Sequence, residues 1–170
     1  MKGIKMNKNT TDEKELKRDA STTFDVNPEA YVIVKNGFNG RLVYISPKTG
    51  ERYIWNEFGD EQEMQLRELR AAKNSSKKFF ENNWFMFDED WVIDYLGLRN
   101  FYKNSIPLDE FDSVFEKSPA ALKKIVAGLP DGQKKSLAYR ASMLVNEGKI
   151  DSMKTISAIE EAFNIQLIEK

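Results

Sequence analysis

The sequence predicts an α+β fold, with an N-terminal three-stranded antiparallel meander and packed helices followed by an all-helical C-terminal part. Three observations carry that prediction. Short β-branched runs separated by Asn-Gly and Pro-x-x-Gly turns fill residues 31–55. A dense aromatic tract occupies residues 79–102. From Ile106 onward, apolar residues recur at helical spacing between good capping residues.

Residues 1–27 are rich in Lys, Asn, Thr, Asp and Glu, and their scattered apolar residues bury too little surface to offset the entropy of ordering. They read as a disordered or partner-ordered tail. Asp12 to Arg18 has the makings of a short helix against a partner and Thr22 to Val26 of an added edge strand, with Phe24 and Val26 as anchors on a neighbour.

Tyr31-Val32-Ile33-Val34 is a strand, and Asn36-Gly37-Phe38-Asn39-Gly40 supplies the positive φ values of a hairpin turn. Leu42 to Ile45 returns as a second strand, Pro47 to Gly50 turns again, and Arg52 to Trp55 makes the third. Asp60 and Glu63 have the spacing of a reciprocal helix cap, which predicts a helix from there to about Lys73. Its apolar positions Met64, Leu66, Leu69 and Ala72 are only partly periodic. The aromatic tract then runs Phe79, Phe80, Trp84, Phe85, Phe87, Trp91, Tyr95, Phe101 and Tyr102, so that residues 28–105 form one module with an aromatic core and with Trp55, Trp84 and Trp91 mostly buried.

Residues 106–170 make a helical module. Leu108, Phe111, Val114 and Phe115 share one helical stripe, and Ser118-Pro119 places a cap and a proline at the start of the next helix, which stops at Gly128. A longer helix follows Pro130-Asp131-Gly132 and ends near Glu147-Gly148, with Leu137, Ala138, Ala141, Leu144 and Val145 on one face. Asp151 or Ser152 caps the last helix, which buries Met153, Ile156, Ile159 and Phe163 and closes at Asn164.

The 170 residues contain no histidine and no cysteine, the side chains that supply most neutral-pH proton shuttling, thiol chemistry and soft-metal ligation. The composition therefore argues against an enzyme and names no cofactor. With 26 basic and 27 acidic residues the formal charge is −1, which leaves no overall excess for non-specific nucleic-acid binding. No apolar run approaches a membrane span and no export signal is visible, so the expected address is intracellular.

Asp88, Glu89, Asp90 and Asp94 lack the glycine and ligand spacing of a calcium loop and read as the solvated, acidic start of a helix. Lys77-Lys78, Lys123-Lys124 and Lys134-Lys135 are short basic pairs of ordinary solvated faces. The two helices between Leu137 and Ile165 look superficially like a helix-turn-helix, but Glu160 and Glu161 on the second would oppose phosphate. Within the aromatic tract, Trp84, Phe85 and Phe87 are the candidate partner anchors beside Phe24 and Val26; the neighbouring acids argue against nucleic-acid stacking there.

At Leu42 to Glu51, at Trp55-Asn56-Glu57-Phe58-Gly59, at Phe79 to Phe85 and at Asp131 to Ser136, the sequence resembles small proteins of tailed phages that infect Gram-positive bacteria. The resemblance spans roughly residues 30–168 and assigns no residue a role. It implies a non-enzymatic virion structural or assembly protein, head- or tail-associated, whose partners are other phage structural proteins, present in the virion and in the host cytoplasm during assembly. The alternative is a phage-encoded intracellular regulator that binds nucleic acid or the host polymerase through the stranded unit and the basic pairs.

Overall fold

Buried and exposed side chains alternate through strand β1 (Tyr31–Asn36), with Val32, Val34 and Asn36 inward and Tyr31 and Ile33 outward, in the computed structural model, which describes residues 25–169. Strands β2 (Leu42–Ile45), β3 (Arg52–Trp55), β4 (Glu61–Gln65) and β5 (Phe85–Met86) complete the stranded part. Helices α1 (Leu66–Ser75), α2 (Lys78–Glu81), α3 (Asp90–Leu96) and α4 (Arg99–Tyr102) pack around them. A 3-10 turn at Leu108–Glu110 leads into α5 (Phe111–Val114), α6 (Pro119–Gly128), α7 (Asp131–Asn146) and α8 (Met153–Phe163).

The α+β class holds, and the N-terminal part contains a three-stranded antiparallel sheet, but its members differ from the expected ones. Its order is β4-β1-β5, while β2 and β3 pair with each other in a separate two-stranded sheet. Residues 36–40 are accordingly not a hairpin turn. The Asn36 side chain accepts from Phe38 N at 2.8 Å and donates to Gly40 O and Glu57 O, both at 2.8 Å, occupying groups that a hairpin ladder would use. Gly37 N donates to Trp84 O at 2.8 Å, which turns the loop toward β5.

The helix expected from Asp60 to Lys73 begins later, at Leu66. Asp60 accepts from Asn56 N at 2.8 Å and Glu57 N at 3.1 Å, so its carboxylate closes a turn instead of capping a helix. Residues 61–65 then lie antiparallel along β1, from Lys35↔Glu61 to Tyr31↔Gln65, with Met64 buried; the exposed edge of β1 overrides their helix propensity. The first free N–H groups of α1 are met by main chain, Leu66 N on Ala30 O at 3.0 Å and Arg67 N on Pro28 O at 2.8 Å.

Two core clusters follow the chain. The first gathers buried residues from Val32 to Tyr102 and the second those from Phe111 to Ile159, with Leu108 packed against both. Trp55 is wholly buried and donates from Nε1 to Val34 O at 2.9 Å, which ties the two-stranded sheet to the three-stranded one. Phe85 is the centre of the aromatic core, with ring centroids of Phe79, Trp55, Phe80 and Tyr44 at 4.8, 5.3, 5.4 and 5.8 Å. In the second cluster the expected caps are present: Ser118 Oγ accepts from Ala121 N, Ser152 Oγ accepts from Thr155 N, and Asn164 closes α8 in the left-handed region at φ 53°.

Tyr44 donates from its hydroxyl to Glu68 at 2.7 Å inside the first core. Burial, reinforced by this carboxylate, holds the Tyr44 phenol well above its ordinary value of 10.0. Burial also raises Tyr102, whose hydroxyl donates to Phe85 O at 2.7 Å. Because the folded protein keeps these protons at a pH where the unfolded chain releases them, stability is retained below about pH 10 and declines above it, by about 1.4 kcal/mol per pH unit for each proton withheld. Denaturant melts between neutral and strongly alkaline pH check this: the decline should be shallower in Tyr102→Phe, and an equal slope in that variant contradicts it.

Candidate functional site

The two clusters meet where the first turns of α7 lie against the 36–40 loop and Asn82-Asn83, and the seam is built by small residues. A Cβ on Gly132 would stand 2.3 Å from the Asn82 backbone, and one on Gly37 would stand 2.2 Å from Asn83 O, so the 82–83 backbone is held between two positions that admit only glycine. Asn83 has a φ of 53°. Ser136 Oγ donates to Gly37 O at 2.7 Å, and Asn39 Nδ2 donates to Ser136 O at 3.3 Å. Gln133, buried, makes a two-way clasp with Ile106, accepting from its N and donating to its O, both at 2.6 Å.

A second contact lies farther along α7. Arg140 donates to both carboxylate oxygens of Asp112, at 2.7 and 2.8 Å, and its guanidinium lies 5.9 Å from the Phe58 ring centre. Phe58 in turn packs on Phe111 at 5.3 Å. The paired guanidinium holds Asp112 below the ordinary carboxylate range.

The seam opens to solvent as a groove of about 380 Å³ lined by Phe38, Asn39, Trp84, Lys135, Ser136 and Tyr139, with Asn82 and Gly132 at its base. Trp84 is half-buried, edge-on to Phe38 at 5.4 Å and to Phe79 at 5.5 Å. Tyr139 is 51% exposed, the aromatic on α7 that faces away from both cores. Asn39 Oδ1 is buried with no hydrogen-bond partner among the described residues. Such an acceptor costs about 1–3 kcal/mol unless something donates to it. The groove thus offers aromatic surface and one cation, which is equipment for holding another molecule's polar and apolar groups rather than for breaking bonds.

The sequence-selected anchors fall in different places. Trp84 lines the groove. Phe85 does not serve as an anchor: it is fully buried at the core's centre and presents no surface. Phe87 is half-buried, packed on Tyr102 at 6.0 Å and on the first core. Val26 is also half-buried against that core, and Phe24 lies outside the described residues. Phe38, Asn39, Lys135 and Tyr139 were not expected at a site. Two of them left a trace in the sequence, Lys135 as half of a basic pair and Tyr139 as a large aromatic off the apolar face of its helix.

The acids at 88–94 are individually engaged. Asp88 pairs with Lys35 at 2.8 Å and Asp94 with Arg99 at 2.7 Å, while Glu89 accepts from the Trp91 indole. Hydrogen bonding to Arg99 keeps Asp94 below its ordinary pKa. Among the described residues, no three His, Cys, Asp or Glu side chains gather as a metal-binding group. No described helix is long and apolar enough to cross a membrane.

Comparison with known proteins gives no match: no family model fits the chain, and no curated protein or solved structure is similar to it.

Gly132→Ala tests the seam. Within a helix alanine is favoured over glycine by about 1 kcal/mol. Here the added methyl meets the Asn82 backbone, so the variant should instead lose about 1–3 kcal/mol in chemical denaturation. A stabilised variant would show that α7 does not press on residues 82–83.

Proposed function

We propose that this chain is a non-enzymatic phage structural or assembly protein, a head- or tail-associated component that acts through protein–protein contacts. The observation that carries the reading is the groove at the seam, lined by exposed Tyr139, half-buried Trp84 and Lys135. Aromatic anchors of this kind are what concentrate binding energy at protein interfaces. The absence of histidine and cysteine favours binding over catalysis. The phage setting comes from the sequence resemblance, whose segments Phe79 to Phe85 and Asp131 to Ser136 both contribute to the seam.

Mass spectrometry of purified particles and assembly intermediates should find the chain in stoichiometric amounts. Tyr139→Ala should melt like the unsubstituted protein, within about 0.5 kcal/mol, because its ring is largely in water. It should nevertheless lower incorporation by at least about tenfold, the loss of a single interface anchor. Absence from every assembly species, or undiminished incorporation of the Tyr139 variant, would overturn the assembly role or the groove's part in it, respectively.

A further inference from the structure

Helices α6, α7 and α8 leave a second concavity of about 450 Å³ on the helical part. Its floor is apolar and built largely from small side chains, Ala127, Ala138 and Ala162, with Phe163 at one end. Lys123, Lys134 and Lys135 also line it, so folding brings one lysine of the 123–124 pair to the same concavity as both of the 134–135 pair. Lys123 reaches Glu161 at 3.3 Å and Lys134 reaches Asp131 at 3.8 Å, while Lys135 has no acidic partner among the described residues. Glu161 and Asp131 are 73% and 96% exposed, and pairs in that much water are worth only about 0–1 kcal/mol, so the lysines remain available to a stronger anion.

We propose that this groove docks an acidic amphipathic helix of a partner protein. The proposal rests on the reading of the chain as a protein-binding component and names the chemistry of one partner. Alanines on the floor allow a helix to approach at the short end of the usual interaxial distance of about 8–10 Å. Leucine-type residues at i, i+3, i+4 and i+7 would cover the floor, and glutamates flanking them would meet the three lysines. Nucleic acid fits less well, because most of the lining residues are apolar and offer phosphate no donor. Lys135 lines both this groove and the aromatic one.

Amide NMR spectra of the full chain, titrated with a capped helical peptide of about five turns carrying that Leu and Glu pattern, test the site. The amides of Ala127, Lys135, Ala138 and Phe163 should shift together, and the double variant Lys123→Glu/Lys135→Glu should bind at least about tenfold more weakly with an unchanged melt. Ala138→Trp, which fills the floor, should also abolish the shifts; if that variant misfolds, the charge variant alone decides. Equal binding by a peptide with Lys in place of Glu, shifts elsewhere on the molecule, or equal competition by oligothymidylate would each overturn the proposal. Failure here with Tyr139-dependent incorporation intact would remove only this groove, whereas failure of both would remove the protein-binding reading.

Discussion

Asn36 is the constraint on which the rest of the arrangement depends. Its side chain is buried and makes hydrogen bonds to Phe38, Gly40 and Glu57, while its own N–H and C=O meet Asp60 and Gly59. One residue thus fixes the end of β1, the shape of the following loop and the turn that delivers β4 to its place beside β1. The main-chain groups its side chain satisfies are part-buried, so each such bond contributes about 0.5–1.5 kcal/mol net. Because the same loop presents Phe38 and Asn39 to the groove and Gly37 O to Ser136, the candidate site inherits its geometry from this amide.

The joint between the two cores relies on close approach more than on area. Gly37 and Gly132 let three backbone segments touch, and the Ser136 and Gln133 side chains satisfy the polar groups this contact desolvates. The Arg140–Asp112 pair adds a bidentate link within the helical part and covers Phe58 from the stranded part. The backbone beneath the groove is thus closely packed at Gly37, Asn82-Asn83 and Gly132. Such packing lowers the entropy that an incoming side chain's pocket would otherwise lose on binding.

The helix boundaries of the C-terminal part were largely legible in sequence, because they are written in local chemistry: Ser118-Pro119, Gly128, Ser152 and Asn164 act on their immediate neighbours. Met153, expected on the buried side of the last helix, is instead 61% exposed at its first turn. The first three strands were legible as elements, from β-branched and aromatic runs set between turn residues. Their partnership was not. It depends on where the Asn36 amide sends its hydrogen bonds, and a rule that Asn-Gly makes a hairpin overlooks bonds to Glu57, 21 residues away. The 61–65 strand was hidden for a related reason, its Glu and Gln residues being poor strand formers recruited by the edge of β1. Of the site, Trp84 was found through its aromatic character, whereas Phe38, Asn39 and Lys135 become neighbours only across sequence separations that no local pattern encodes.

The hydrogen bonds from Asn39 and Ser136 across the seam join residues 97 and 99 positions apart. The first core draws on residues 32–102, all of which precede α7 in the chain, so closing the seam ties off a large loop. During synthesis, which runs from the N-terminus, the 36–40 loop and the 82–83 backbone have no α7 to cover them. Lys135, Ser136 and Tyr139 join Phe38 and Trp84 only after α7 has docked. A half-folded chain therefore lacks the groove altogether, and recruitment through it would admit finished molecules and pass over nascent ones.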